Sequence, residues 1–265
     1  MNIFLHEMKV NRKSNLIWTG ALVVLVVFFM SMFPSISKEI EVFKKLLEGF
    51  PEEVRSALGI QVDSIGSVIG YYSYTFLYLT LCGAIQAMNL GISIGSRETV
   101  EKTADFLLTK PVTRFKILLS KLVAAISSLL FTTTILIVTA TIMLQLVKTE
   151  AYNNQVFLMI SITFLFVQLI FLGLGMFISV IYSKIKSVIT VSLSIVFLFF
   201  IIGMVAGIDG QDLGRYFSPF QYFDTTYIMI HSSYEPAFLL VGMTIIIVSI
   251  ILSFMIYTKK DIHTV

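Results

Sequence analysis

The chain has a single cysteine, Cys82, so it can form neither an intrachain disulfide nor a cysteine metal site. Histidine is equally scarce: His6, His231 and His263 stand far apart, and none has a ligand at helical spacing, which removes the HExxH class of zinc hydrolase. No GxxxxGK[ST] loop is present to hold the phosphates of a nucleotide, no G-x-S-x-G elbow presents a serine, and no aspartate pair lies inside an apolar run. A chain of this kind is expected to be no enzyme, to hydrolyse no ATP of its own and to bind no metal. Charge is the other shortage. Asp, Glu, Lys and Arg make up only 13% of residues and the net charge is +3, so nothing supports nucleic-acid binding. No internal repeat or low-complexity tract divides the sequence, and residues 1–265 read as one domain.

What fills the chain instead is apolar. With 57% hydrophobic residues and a mean hydropathy of +0.90, most of it must be solvated by lipid. Uncharged runs occur at about 16–33, 68–94, 118–147, 156–182, 188–207 and 237–257, with Lys121 at the edge of the third. Each is long enough as a helix to cross a hydrocarbon core of about 30 Å. The expected fold is therefore all-α and polytopic, with six transmembrane helices. The first run follows Lys9, Arg12 and Lys13 but is too long for the apolar part of a signal peptide and lacks a small-residue cleavage site, so it reads as a retained span.

Positive residues set the orientation. With both termini on one side, that side carries three Lys/Arg at the amino terminus, six in Gly95–Lys121, two at Lys184 and Lys186, and two at Lys259 and Lys260. The other side has Lys38, Lys44, Lys45, Arg55, Lys148 and Arg215, which predicts cytoplasmic termini. Between spans 1 and 2, segment 34–67 begins at Pro34 and carries the apolar stripe Ile40, Phe43, Leu46, Leu47 and Phe50, followed by a helix start at Pro51 that Gly59 could end. Two amphipathic external helices are expected there. Segment 208–236 carries DGQD, whose Asp209 and Asp212 lack the other ligands of a calcium loop, and the run YFSPFQYFDTTY, which reads as a turn followed by an interfacial aromatic belt.

Within the spans, Gly83, Ala87, Gly91 and Gly95 recur every four residues, a ridge that lets another helix backbone approach. This ridge, and the lack of a second six-span unit in the chain, lead us to expect a dimer. Gln86, Asn89 and Gln168 carry amides that cost free energy in lipid unless partnered, so they face either neighbouring helices or a substrate path. The hydroxyls of Thr132, Thr133, Thr134, Thr139 and Thr141 can bond their own preceding carbonyls.

The densest charge falls in GSRETVEKTADFLLTKPVTRFKILLSK, Gly95 to Lys121. Ser96 can cap a helix, Glu98 and Glu101 suit its first turn, and Val100, Ala104, Leu107 and Leu108 share one side. Pro111 ends this lateral helix near Thr109, and a second helix starts around Thr113. By periodicity it lies either on lipid head groups or against a partner. The wording of the motif resembles the segment after the second span of ABC-2 type transporter permeases, in which a Glu, a Thr, an acidic residue, a Leu pair, Pro, Ser/Thr-Arg and a later Lys recur. Here Glu98, Thr103, Asp105, Leu107, Leu108, Pro111, Thr113, Arg114 and Lys121 hold those places, with Lys102 where many members have Gly. SPFQYFD, Ser218 to Asp224, resembles a phrase in permeases of bacitracin and peptide exporters.

The resemblance implies a permease subunit of an ABC exporter in a bacterial cytoplasmic membrane. In that arrangement two copies bind two separate ATPase subunits, which hold ATP and magnesium, and 98–108 acts as the coupling helix. The substrate it implies is apolar or amphipathic, a bacteriocin- or modulin-like peptide before a lipophilic drug. The alternative is a membrane scaffold or sensor that docks a cytoplasmic partner through the same helix without transporting anything.

Overall fold

Lipid offers the backbone no hydrogen-bond partners, so each long apolar run must close its bonds within itself, as a helix. The computed structural model describes residues 3–57, 61–100, 113–182, 185–209 and 212–259. Their helices are α1 (Ile3–Lys38), α2 (Ile40–Glu48), α3 (Glu52–Ala57), α4 (Val68–Val100), α5 (Arg114–Val147), α6 (Asn154–Ile181), α7 (Val188–Asp209), α8 (Asp212–Arg215), α9 (Thr225–His231) and α10 (Pro236–Lys259). A 3-10 turn, Pro219–Gln221, lies between α8 and α9, and the described residues contain no strand. Six helices, α1, α4, α5, α6, α7 and α10, are long and apolar enough to cross a membrane.

Three boundaries differ from expectation, the first being that α1 begins at Ile3, well before the run at 16–33. Helix α1 continues through Pro34 to Lys38, because a proline in the last turns of a helix removes only one backbone bond there. Helix α4 continues through Ser96, which starts nothing: its hydroxyl donates to the Ile92 carbonyl within the same helix, at 2.8 Å. The start of α5 agrees with the sequence, Thr113 accepting from the Lys116 amide as an N-cap. Both expected short helices of segment 34–67 are present as α2 and α3, while Gly59 lies outside the described residues.

Helices α4 and α6 form the centre, with 67% and 61% of their apolar windows buried against 17% for α7 and 22% for α10. They run parallel, as contacts in ascending order show: Tyr72 to Ser161, Gln86 to Gln168, and Gly95 to Ser179. Helix α1 lies parallel to α5, meeting it through Thr19 and Thr132, and α10 lies parallel to α6, with Gly242 beside Ile170 and Ser249 beside Gly173. Neighbours in the bundle are thus not neighbours in the chain. The core divides by depth. One cluster, around Phe33, Tyr72, Leu136 and Phe164, fills the end toward α2 and α3. The other, around Met88, Leu118, Phe171 and Met176, fills the end toward the chain termini.

Candidate functional site

The segment singled out by charge is described only at its flanks. Glu98 lies in the last turn of α4, its side chain outside the described set, and Thr103, Asp105, Leu107, Leu108 and Pro111 lie outside the described residues. On the far flank Arg114 opens α5. What lies just inside both flanks is well fixed. Lys121 is buried and its ammonium donates to the Ile94 carbonyl at 2.8 Å, tying the second turn of α5 to the end of α4. A buried cation needs such an acceptor to replace water. A Cβ at Gly95 would come within 2.5 Å of the Ser179 hydroxyl, so α4 also touches α6 at this level. Three helices therefore meet directly beside residues 97–113.

One helix turn and more below, the small-residue ridge finds its partner. A Cβ at Gly83 would strike the Phe164 ring, and one at Gly91 would lie 2.4 Å from the Leu172 carbonyl oxygen. Gly175 of α6 answers Met88 of α4 in the same way, at 2.7 Å, while Ala87 is fully buried. The ridge therefore packs α4 onto α6 of its own chain, so its spacing gives no reason to expect a dimer.

Beside this crossing the amides join. Gln86 Nε2 donates to Asn15 Oδ1 and to Thr132 Oγ1, both at 3.0 Å, and its Oε1 accepts from Gln168 Nε2 at 3.2 Å. Gln168 Oε1 accepts in turn from the Thr133 hydroxyl at 3.1 Å, and Thr19 meets Thr132 at 2.9 Å. Six side chains from α1, α4, α5 and α6 so satisfy one another in the bundle interior, with Gln86 and Gln168 1% and 0% exposed. Asn89 differs: it is half-buried, on the side of α4 that also carries Tyr78 and Ser93. Thr134, Thr139 and Thr141 bond carbonyls four residues back, as their spacing allows.

A helical bundle with a charged sequence between its second and third spans could serve several membrane functions, and sequence comparison decides among them. A family model described as ABC-2 family transporter protein matches residues 1–262. The chain belongs to this family. No curated protein matches it. It is thus the membrane permease of an ABC transporter, a multi-pass protein, and membership implies association with an ABC ATPase.

In this permease the run expected as an aromatic belt divides: Tyr216 and Phe217 are exposed, while Pro219, Tyr222 and Phe223 are buried. Between α7 and α10 the chain turns back into the bundle. Phe220 packs on Phe171 and Phe200 with centroids 5.2 and 5.4 Å apart, and Phe171 lies ten residues before the end of α6 at Ile181, about 15 Å along the axis. Ser218 is fully buried and donates to the Phe199 carbonyl at 2.7 Å, and Gln221 Nε2 donates to the Gly203 carbonyl at 2.8 Å. Gly203 makes room for this, since a Cβ there would lie 2.7 Å from the Ser218 hydroxyl. Asp224 caps α9, and Ser232, in the left-handed conformation at φ 50°, turns the chain toward α10. Burial raises the Tyr222 phenol above its ordinary value and pushes that of Tyr234 up to about 12, so both stay protonated donors, to the Tyr216 and Met159 carbonyls.

The base of this hairpin is held by a pair that sequence reading passed over. Arg215 meets Glu235 through two parallel bonds of 3.1 and 2.5 Å, reaches the Gln221 carbonyl at 3.3 Å, and stacks 4.1 Å over the Phe238 ring. Their side chains are only 18% and 20% exposed, so Glu235→Gln is expected to cost roughly 1 to 3 kcal/mol, as a charge-assisted bidentate contact is lost. Hydrogen exchange at amides 216–224 should accelerate while exchange in α4 and α6 stays slow. Unchanged exchange at 216–224 would show that the pair does not hold the hairpin.

Proposed function

We propose that the permease exports an apolar or amphipathic molecule, a bacteriocin-like peptide in first place and a lipophilic drug in second, out of a bacterial cytoplasmic membrane with both chain termini inside. In this reading two copies of the chain form the pathway, and two copies of a separate ATPase, which hold ATP and magnesium, drive it through residues 98–108. The permease itself binds no cofactor. The observation that supports the coupling is the Lys121 to Ile94 bond. Because it joins α5 to α4 at the flanks of the charged segment, a force applied to that segment is delivered to the outer helix α5 and to the central helix α4 together. Outward direction is supported by the SPFQYFD resemblance to peptide exporters, and orientation by the excess of Lys and Arg on the terminal side.

Replacing Leu107 with Asp tests this. A charge placed in an apolar contact should weaken ATPase capture by about 2 to 4 kcal/mol, while insertion of the six spans is kept. Glu98→Ala should leave most of the capture and lower substrate-stimulated hydrolysis, since a rim charge contributes less to affinity than a buried anchor. Pull-down of the ATPase and hydrolysis in vesicles, read side by side, give both quantities. Wild-type values for Leu107→Asp in both assays would remove the coupling role, and capture without any response to substrate would describe a docking scaffold instead.

A further inference from the structure

Helix α2 has three chemical faces where a surface helix needs two. Ile40, Phe43 and Leu47 turn toward the bundle: Leu47 is buried, and Ile40 sits 3.2 Å from the position of a Cβ at Gly66. At about 100° per residue, Glu41, Lys45 and Glu48 share a second face, and all three are exposed. The third face carries Val42 and Leu46, 57% and 65% exposed, and the chain continues past Gly49 to Phe50 at 51%. Two large apolar residues on a helix whose packed side is already occupied, with a third just past its end, call for another apolar phase.

The position of α2 supplies that phase. Helix α1 presents Val24, Val27, Phe28 and Met32 outward as an exposed apolar side, and α2 starts two residues after α1 ends. From the exposed Lys13 to Lys38, α1 rises about 38 Å, so a hydrocarbon core of about 30 Å leaves its end about 8 Å above the acyl chains, at head-group depth. We propose that α2 is a rim helix whose Val42, Leu46 and Phe50 rest on the boundary between acyl chains and head groups in the leaflet opposite the chain termini. Protein lies on one side of it, lipid beneath, and water over Glu41, Lys45 and Glu48. This continues the lipid-facing surface of α1 around the bend at Glu39. Through α2 the segment 39–57 is referenced to the membrane surface, and farther on Gln61 donates its amide to Thr226 beside the hairpin.

Spin labels read this directly. In the full chain carrying Cys82→Ser, single substitutions Leu46→Cys, Phe50→Cys, Glu41→Cys and Glu48→Cys are labelled with nitroxide in vesicles of phosphatidylcholine and phosphatidylglycerol. Relaxation by oxygen, which partitions into lipid, is compared with relaxation by a water-soluble nickel chelate. The oxygen-to-nickel ratio at positions 46 and 50 should exceed that at 41 and 48 several-fold, and Val42→Cys gives a further reading on the same face if one variant fails to insert. Equal nickel access at all positions would overturn the proposal. So would spin–spin broadening at 46 and 50 that disappears on dilution with unlabelled chain, since it would assign the face to a second copy.

Discussion

Placing valine at Gly91 is expected to separate the two central helices and to abolish the monodisperse, folded permease in detergent. The added Cβ alone would lie 2.4 Å from the Leu172 carbonyl oxygen and 2.9 Å from the Met176 amide nitrogen. Both are main-chain atoms, so no rotamer change relieves the clash, and α4 must move away from α6 as a body. Overpacking of a core usually costs about 1 to 3 kcal/mol. Here the same movement stretches the Gln86 to Gln168 bond, which places the loss at the upper end of that range or above it. Thermal unfolding followed by size-exclusion fluorescence measures it. Gly20, with nothing within 4 Å of its would-be Cβ, provides the matched control, and Gly20→Ala should unfold like the wild type. A Gly91→Val permease with wild-type stability would mean that the α4 to α6 contact is not the centre of the bundle.

Gln86→Leu should destabilise the permease by about 1 to 2 kcal/mol, more than an interhelical hydrogen bond in a membrane usually contributes. The surplus comes from what stays behind. Gln168 Nε2 keeps a donor in a dry interior with its acceptor removed, and a stranded group costs more than a bond gains, while Asn15 and Thr132 each lose one bond and keep the one between them. Gln168→Leu should cost a similar amount through Gln86 and Thr133. The double variant should cost less than both losses together, because the second leucine removes a group the first had stranded. A double-mutant cycle by chemical or thermal denaturation gives this coupling, and strictly additive losses would show that the two amides do not share a network.

The sequence exposed the six spans because lipid punishes any charge in their interior, although α1 starts at Ile3, well before the uncharged run that marks it. It was less informative wherever one residue type serves two ends. Serine caps a helix or bonds back within it, and Ser96 does the second. Proline breaks a helix in its middle but is tolerated near its end, as Pro34 is. An aromatic run states a need for apolar contact without stating its depth, so Phe220 was expected at the surface and lies well inside. The glycine ridge gave the spacing of a close approach but not the identity of the approaching helix. Asn15 went unremarked because it precedes the first uncharged run by one residue, yet it is buried and shares the hydrogen bonds of Gln86. Arg215 and Glu235 left no periodic trace, since they meet only when the hairpin closes. The charged segment between the second and third spans is the reverse case: its wording carried the family, while most of its residues lie outside those the structure describes.

The parallel pairing of spans also bears on how a new chain is made. Gln86 enters the bilayer with α4, when only Asn15 of its final partners has been synthesised. Thr132 follows with α5, and Gln168, 82 positions later in the chain, arrives last. Until α6 is in place, one glutamine amide near the middle of the second span lacks part of its hydrogen bonding in a solvent that cannot supply it. An unfinished copy therefore differs chemically from a finished one, and the difference disappears once the fourth span is in place.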